Sequence, residues 1–133
     1  MNILAIDPGK LKCGLAVMQS QQMVLEKMIV SLDDLFITVK HLCEKFEIEL
    51  IVIGDRTNSK VINNSLKSLA ISMVKVDEDC SSLEGRQRYL IEHTKGLARL
   101  VPIGLRVPKE PYDDYVAVVL AERYFSSLNN DQL

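Results

Sequence analysis

The hydrophobic positions of this chain switch repeatedly between a strand-like and a helix-like period. Residues 3–6 (ILAI) form a continuous apolar run, the pattern of a strand covered on both faces, and it stops on a charge, Asp7, followed by Pro8 and Gly9. A second run over 13–18 follows closely, so the two pair as a hairpin. Gly9 and Gly14 leave room there for a ligand or another backbone to come close. Residues 22–30 read as a third strand with Met23, Leu25 and Lys27 on one face, completing an antiparallel meander. Ser31 and Asp34 have capping-box spacing and open a helix to about 47, with Leu35, Val39, Leu42, Cys43 and Phe46 as its apolar stripe.

Beyond that helix the pattern alternates. Leu50–Gly54 is a buried strand ending on Asp55, a helix spans about 60–70, and Ser72–Val76 is a fifth strand ending on Asp77 and Glu78. Ser81 and Glu84 again have capping-box spacing and open a helix to about 91. Residues 93–111 read as a long loop with one apolar piece at 97–101. A last helix covers about 113–128, and 129–133 is expected to fray. The order β-β-β-α-β-α-β-α, then loop and closing helix, predicts one α/β domain over 1–133. Its sheet is five-stranded and mixed, three antiparallel strands followed by two parallel ones, and is flanked by helices. Right-handed crossovers make strands four and five parallel to the first. Ligands collect at the carboxyl ends of such strands, where Asp7, Asp55 and Asp77/Glu78 all lie.

Asp77 and Glu78 point to opposite faces, so they cannot both serve one site in the same way. On the last helix Asp113 lies in line with Ala117, Leu120, Ala121 and Tyr124 and faces the sheet; Asp114, about 100° round, is left to cap the helix or meet its dipole. Two carboxylates ~4 Å apart repel by about 4 kcal/mol at an effective dielectric of 20. Apart from Arg56 the flanking residues are mostly not basic, so a hard divalent cation with oxygen ligands is the better counter-charge. Two such ions ~3.5–4 Å apart would activate water and stabilise the leaving oxygen of a phosphodiester.

Composition narrows the picture without deciding it. The chain has 133 residues, 47% hydrophobic, and a net charge of −2, so global charge neither announces nor excludes a nucleic-acid partner. The distribution is more telling: residues 86–109 hold six cations (Arg86, Arg88, Lys95, Arg99, Arg106, Lys109) against one acid, Glu92. A basic band beside an acidic cluster suits a polyanion; a merely solvated basic face fits the charges equally well. Cys13, Cys43 and Cys80 lack any paired spacing, which argues against a disulfide framework or zinc site and fits a reducing cytoplasm. His41 and His93 are isolated and carry no catalytic expectation. No signal peptide is expected, since Met1 leads straight into the first strand, and no apolar run reaches the roughly 18 residues of a membrane span.

Four stretches carry a family resemblance that covers nearly the whole chain. IDPGKLKCGLAV resembles the first catalytic motif of the RuvC/YqgF branch of the RNase H-like nucleases. VDEDCSSLEGR is similar to the YqgF motif of Asp-Glu, two hydroxyl residues and Ala/Gly-Arg. YDDYVAVVLAERYF resembles the closing helix with its catalytic Asp, and IGDRTNSK the Gly-x-x-Thr segment of some YqgF relatives. Length and the second and third motifs bring the likeness nearer to YqgF. It implies an RNase H-like fold and a catalytic, metal-binding triad of Asp7, Glu78 and Asp113, served by Mg²⁺ or Mn²⁺, with Asp55 a candidate fourth ligand. Asp79-Cys80 depart from the pattern, where many YqgF proteins have Arg and a hydrophobe, and the lost basic residue would weaken phosphate contact.

The function expected is a metal-dependent endonuclease for structured RNA or branched DNA, acting as monomer or homodimer. Ribosomal RNA precursors are the YqgF-type substrate and Holliday junctions the RuvC-type alternative. Thr57, Ser59 and Lys60 are candidate phosphate contacts near a helix N-terminus. Arg86, Arg88, Arg99 and Arg106 are candidate backbone contacts; ordinary helix surface is an equal reading for Arg86 and Arg88. A non-catalytic nucleic-acid-binding scaffold of the same fold is the competing class. An actin-like ATP-handling relative is a third, and the chain lacks the length for its second lobe.

Overall fold

In the computed structural model, which describes residues 1–56 and 58–131, five strands and four α-helices follow the expected order. The strands are β1 (Ile3–Asp7), β2 (Lys12–Ser20), β3 (Met23–Ser31), β4 (Leu50–Gly54) and β5 (Ser72–Val76). The helices are α1 (Leu35–Phe46), α2 (Ser59–Leu66), α3 (Ser81–His93) and α4 (Asp113–Asp131). The sheet order is β3-β2-β1-β4-β5; β1–β2 and β2–β3 are antiparallel, while β1–β4 and β4–β5 are parallel.

Alternation along β1 divides the core in two. Leu4 and Ile6 pack with Leu15, Val17, Ile51 and Ile53 beneath α1 and α2, on Leu35, Val39, Leu42, Ile62 and Leu66. Ile3 and Ala5 face the other way, with Ala16, Met18 and Val52, against Ala117, Leu120 and Ala121 of α4. The alanines on both sides of this second interface let α4 lie close to the sheet. Gly14 takes that approach to its limit: a Cβ there would stand 1.9 Å from the Asp113 carbonyl oxygen. The N-terminus of α4 is thereby pinned to β2, beside the end of β1. Helix α3 packs against α4, where Gly85 would meet Val116 at 2.6 Å if it carried a Cβ, and Tyr89, Leu90 and Tyr115 form a small third core.

Several details differ from the pattern-based expectation. Ser31 caps the first turn as expected, accepting from the Asp34 N–H at 3.3 Å, but that turn is a 3-10 turn ahead of α1. Ser81 and Glu84 form no capping box. Cys80 precedes α3 in the left-handed region (φ 61°), the Ser81 hydroxyl is buried without a partner, and Glu84 pairs with Arg123 at 3.0 Å instead. Register shifts after Val17 and Met18 break the alternation of β3, so Val24 pairs with Met18 and joins Lys27 on the α4 side. The second helix ends at Leu66 and continues as a 3-10 turn to Leu69, while α4 runs on through Asp131 where fraying was expected. Residues 96–105 include two 3-10 turns, from which Leu97, Leu100 and Leu105 face water while Ile103 packs on the third core. No helix among the described residues is long and apolar enough to cross a membrane.

Candidate functional site

The carboxyl ends of β1, β4 and β5 and the N-terminus of α4 converge on Asp7 and Glu78. Strand β4 lies between the two carriers and ends on Gly54, and the absent side chain is what lets them meet: a Cβ on Gly54 would stand 2.2 Å from the Glu78 Cδ. The Glu78 side chain fills that space, is only 1% exposed, and comes near enough to the Asp7 carboxyl to raise it. Burial first, then the contact with Glu78 and the charge of Asp113, push Asp7 from 3.8 up to about 8, with Arg56 acting in the opposite direction.

Glu78 is half-satisfied. Its Oε2 accepts from the Arg56 N–H at 2.8 Å and lies 3.7 Å from the exposed Arg56 guanidinium; its Oε1 has no partner. An ionised, buried oxygen without a donor is costly unless a cation or proton meets it. Asp55 supports the site from outside the pair: its Oδ1 accepts from the Glu78 N–H at 3.2 Å, which ties the end of β4 to the turn before α3. Asp77 turns away, accepting from the Asp79 N–H at 2.9 Å.

Asp113 stands at the edge of the same site. It is near enough to raise Asp7 by its charge, yet its Oδ2 is 3.4 Å from Lys12 Nζ. As the chain stands, no three His, Cys, Asp or Glu side chains among the described residues are grouped closely enough to hold a metal ion. Asp114 has the separate role its angle implies, accepting from its neighbour Tyr115 N–H at 3.0 Å and pairing with Lys27 at 3.4 Å.

The candidate phosphate contacts are dispersed. Thr57 lies outside the described residues. Ser59 is buried, and Lys60 is exposed on the first turn of α2. Arg88 is neutralised by an ion pair with Glu122. Arg86 donates to the Arg106 carbonyl, Arg99 to the Thr94 carbonyl, and Arg106 to the Val101 and Arg99 carbonyls. These three arginines shape the segment between α3 and α4 while keeping other N–H groups free. Sequence reasoning missed Lys12, Gly54 and Asn58, whose side chain donates to the Gly9 carbonyl at 2.9 Å and locks the β1–β2 turn onto α2. Gly54 offered a signal: a glycine closing a run of large aliphatic residues beside an acid.

The architecture is an RNase H-like α/β fold. Among solved structures the chain is similar to RuvC of Thermus thermophilus, with a TM-score of 0.61 and 14% identity over 96% of this chain and 95% of that one. It is similar also to T. thermophilus RuvC in complex with a Holliday junction substrate, at a TM-score of 0.60 and 14% identity over 97% of this chain and 96% of the other. No protein-family model and no curated protein matches the sequence. Likeness at this identity establishes the RuvC-like fold.

Proposed function

We propose that this chain is a divalent-metal-dependent endonuclease that hydrolyses phosphodiester bonds in structured nucleic acid, with precursor ribosomal RNA and branched DNA as the two substrate classes. The observation that carries the proposal is the partnerless Oε1 of a fully buried Glu78 beside an Asp7 held up to about 8. Two buried carboxyls with an unmet oxygen fit a hard cation, and Mg²⁺ typically takes one or two carboxylates and completes its shell with water and substrate phosphate. Asp7 and Glu78 would hold Mg²⁺ or Mn²⁺. Asp113 would join as third ligand on exchanging Lys12, and Asp55 would act through the Glu78 backbone rather than as a ligand. Bound there, the ion supplies water activation and stabilisation of the leaving oxygen.

The chain's own residues prepare that chemistry. Arg56 fixes one Glu78 oxygen and leaves the other without a partner. Lys12, once free of Asp113, would meet a substrate phosphate, and the exposed Lys60 would meet another. The fold shared with RuvC, solved with a Holliday junction, supports a nucleic-acid substrate. A YqgF-type role in ribosomal RNA maturation rests on Asp77-Glu78, Ser81-Ser82 and Gly85-Arg86. A cytoplasmic setting accords with three free thiols, and the active species is a monomer or homodimer.

The Lys12–Asp113 ion pair favours one second reading, a binding module of the same fold without chemistry. A cleavage assay with Mg²⁺ and Mn²⁺ on a ribosomal RNA precursor and a four-way DNA junction separates the two. The nuclease cuts one substrate and Asp7→Asn binds it without cutting; a module that binds and never cuts refutes the proposal.

A further inference from the structure

The segment joining α3 to α4 presents the surface that the catalytic reading leaves unused. Residues 94–109 contain four cations and no acid. Four of their apolar side chains face water, Leu97, Leu100, Leu105 and Val107 each at least 73% exposed, while Ile103 packs against Tyr89, Leu90 and Tyr115. The arrangement is nevertheless held, because the Arg86, Arg99 and Arg106 guanidiniums bond the segment's own carbonyls at Thr94, Arg99, Val101 and Arg106. Apolar groups kept outward on a fixed backbone mark an interaction surface rather than a failed core.

A groove of about 440 Å³ lies between this segment and α3. Leu90, Val101, Leu105 and Val107 line it together with the rings of Tyr89 and His93, which sit 4.3 Å apart, and Lys95, Arg106 and Lys109 supply its charge. We propose that the groove takes an unpaired nucleotide of a single-stranded nucleic-acid segment, its base against the apolar and aromatic wall and its phosphates on Lys95 and Lys109. The proposal rests on the nuclease reading for its ligand class and names the part of the substrate bound away from the acidic pair. His93 is the exposed ring of that wall, Tyr89 being only 6% exposed, and a base stacked on such a ring with cations tracking the backbone is how single strands are held without sequence preference. Position favours a strand over an acidic peptide: Lys109, at the groove, precedes Asp113 by four residues and so lies within about 14 Å of it, a span one continuous strand can bridge.

The test is fluorescence anisotropy of a labelled ten-nucleotide single strand and the matching duplex in EDTA, where nothing is cut. The single strand should bind at least tenfold more tightly than the duplex. Leu105→Ser combined with Val107→Ser should abolish that preference while leaving the melting temperature unchanged. Lys95→Gln combined with Lys109→Gln should lower the slope of log affinity against log salt by about 1.4, two phosphate contacts at about 0.7 each. Equal affinity for strand and duplex, or variants that bind like the parent, overturns the inference, as does an acidic leucine-containing peptide that binds the groove in place of the strand. Because the assay is metal-free, a protein that never cleaves can still pass it, and one that cleaves can still fail it.

Discussion

Glu78 occupies the space that a side chain on Gly54 would fill, and there its carboxyl lies beside Asp7 with one oxygen, Oε1, lacking any donor. The closeness of this pair gives the site its chemistry and makes it a liability when nothing neutralises it.

The first consequence is a pH dependence. Asp7 titrates near 3.8 unfolded and about 8 folded. Between those values the folded chain keeps a proton that the unfolded chain has released, so stability falls as pH rises through that window and levels off above it. In EDTA the melting temperature should drop from pH 5 to pH 9, and saturating Mg²⁺ should remove most of the drop. A melting temperature independent of pH in EDTA contradicts this.

Asp7→Asn should therefore stabilise the metal-free protein at pH 8, by about 1–3 kcal/mol, since an amide can donate to Glu78 and one buried charge is gone. The same change should abolish cleavage. Urea denaturation in EDTA reads the first effect, and loss of stability in the variant would show that the pair is not strained.

The glycines give a graded pair of variants. Gly54→Ala places a Cβ on the Glu78 carboxyl, a side chain that can move, so the expected cost is about 1–2 kcal/mol with loss of activity. Gly14→Ala meets the backbone of Asp113, and α4 must lift from the sheet; about 3 kcal/mol or more is expected. Equal costs for the two would mean that α4 is not pinned at Gly14.

Ser81→Ala tests the buried hydroxyl at the start of α3. The hydroxyl has no partner, while the Ser81 N–H donates to the Glu78 carbonyl at 2.9 Å whatever the side chain. Removing the hydroxyl should be neutral or stabilise by up to about 1 kcal/mol. A loss above that, in thermal denaturation, would reveal a bond the hydroxyl makes in solution.

The strand order and the placing of Asp7 and Glu78 at the carboxyl edge of the sheet were legible because they follow from period and topology. Apolar runs that stop on an acid mark the carboxyl edge of a parallel sheet, and the Asp113 angle follows from 3.6 residues per turn. What the sequence hid was local competition. Glu84 could cap α3 or pair with Arg123, and spacing alone does not show that Cys80 turns left-handed and removes the cap. The Lys12–Asp113 pair was likewise invisible, since it joins a hairpin to a helix a hundred residues later. The arginines read as phosphate contacts mostly bond carbonyls or Glu122, because a basic sequence band does not say which way each guanidinium turns.

The most direct test of the central claim is the change in unfolding free energy with added Mg²⁺ or Mn²⁺ for the parent chain, Asp7→Asn and Glu78→Gln. A cation held by the Asp7–Glu78 pair should add about 2.7 kcal/mol to the parent at 100 times its dissociation constant and little to either variant. No gain in the parent, or the same gain in all three, contradicts it.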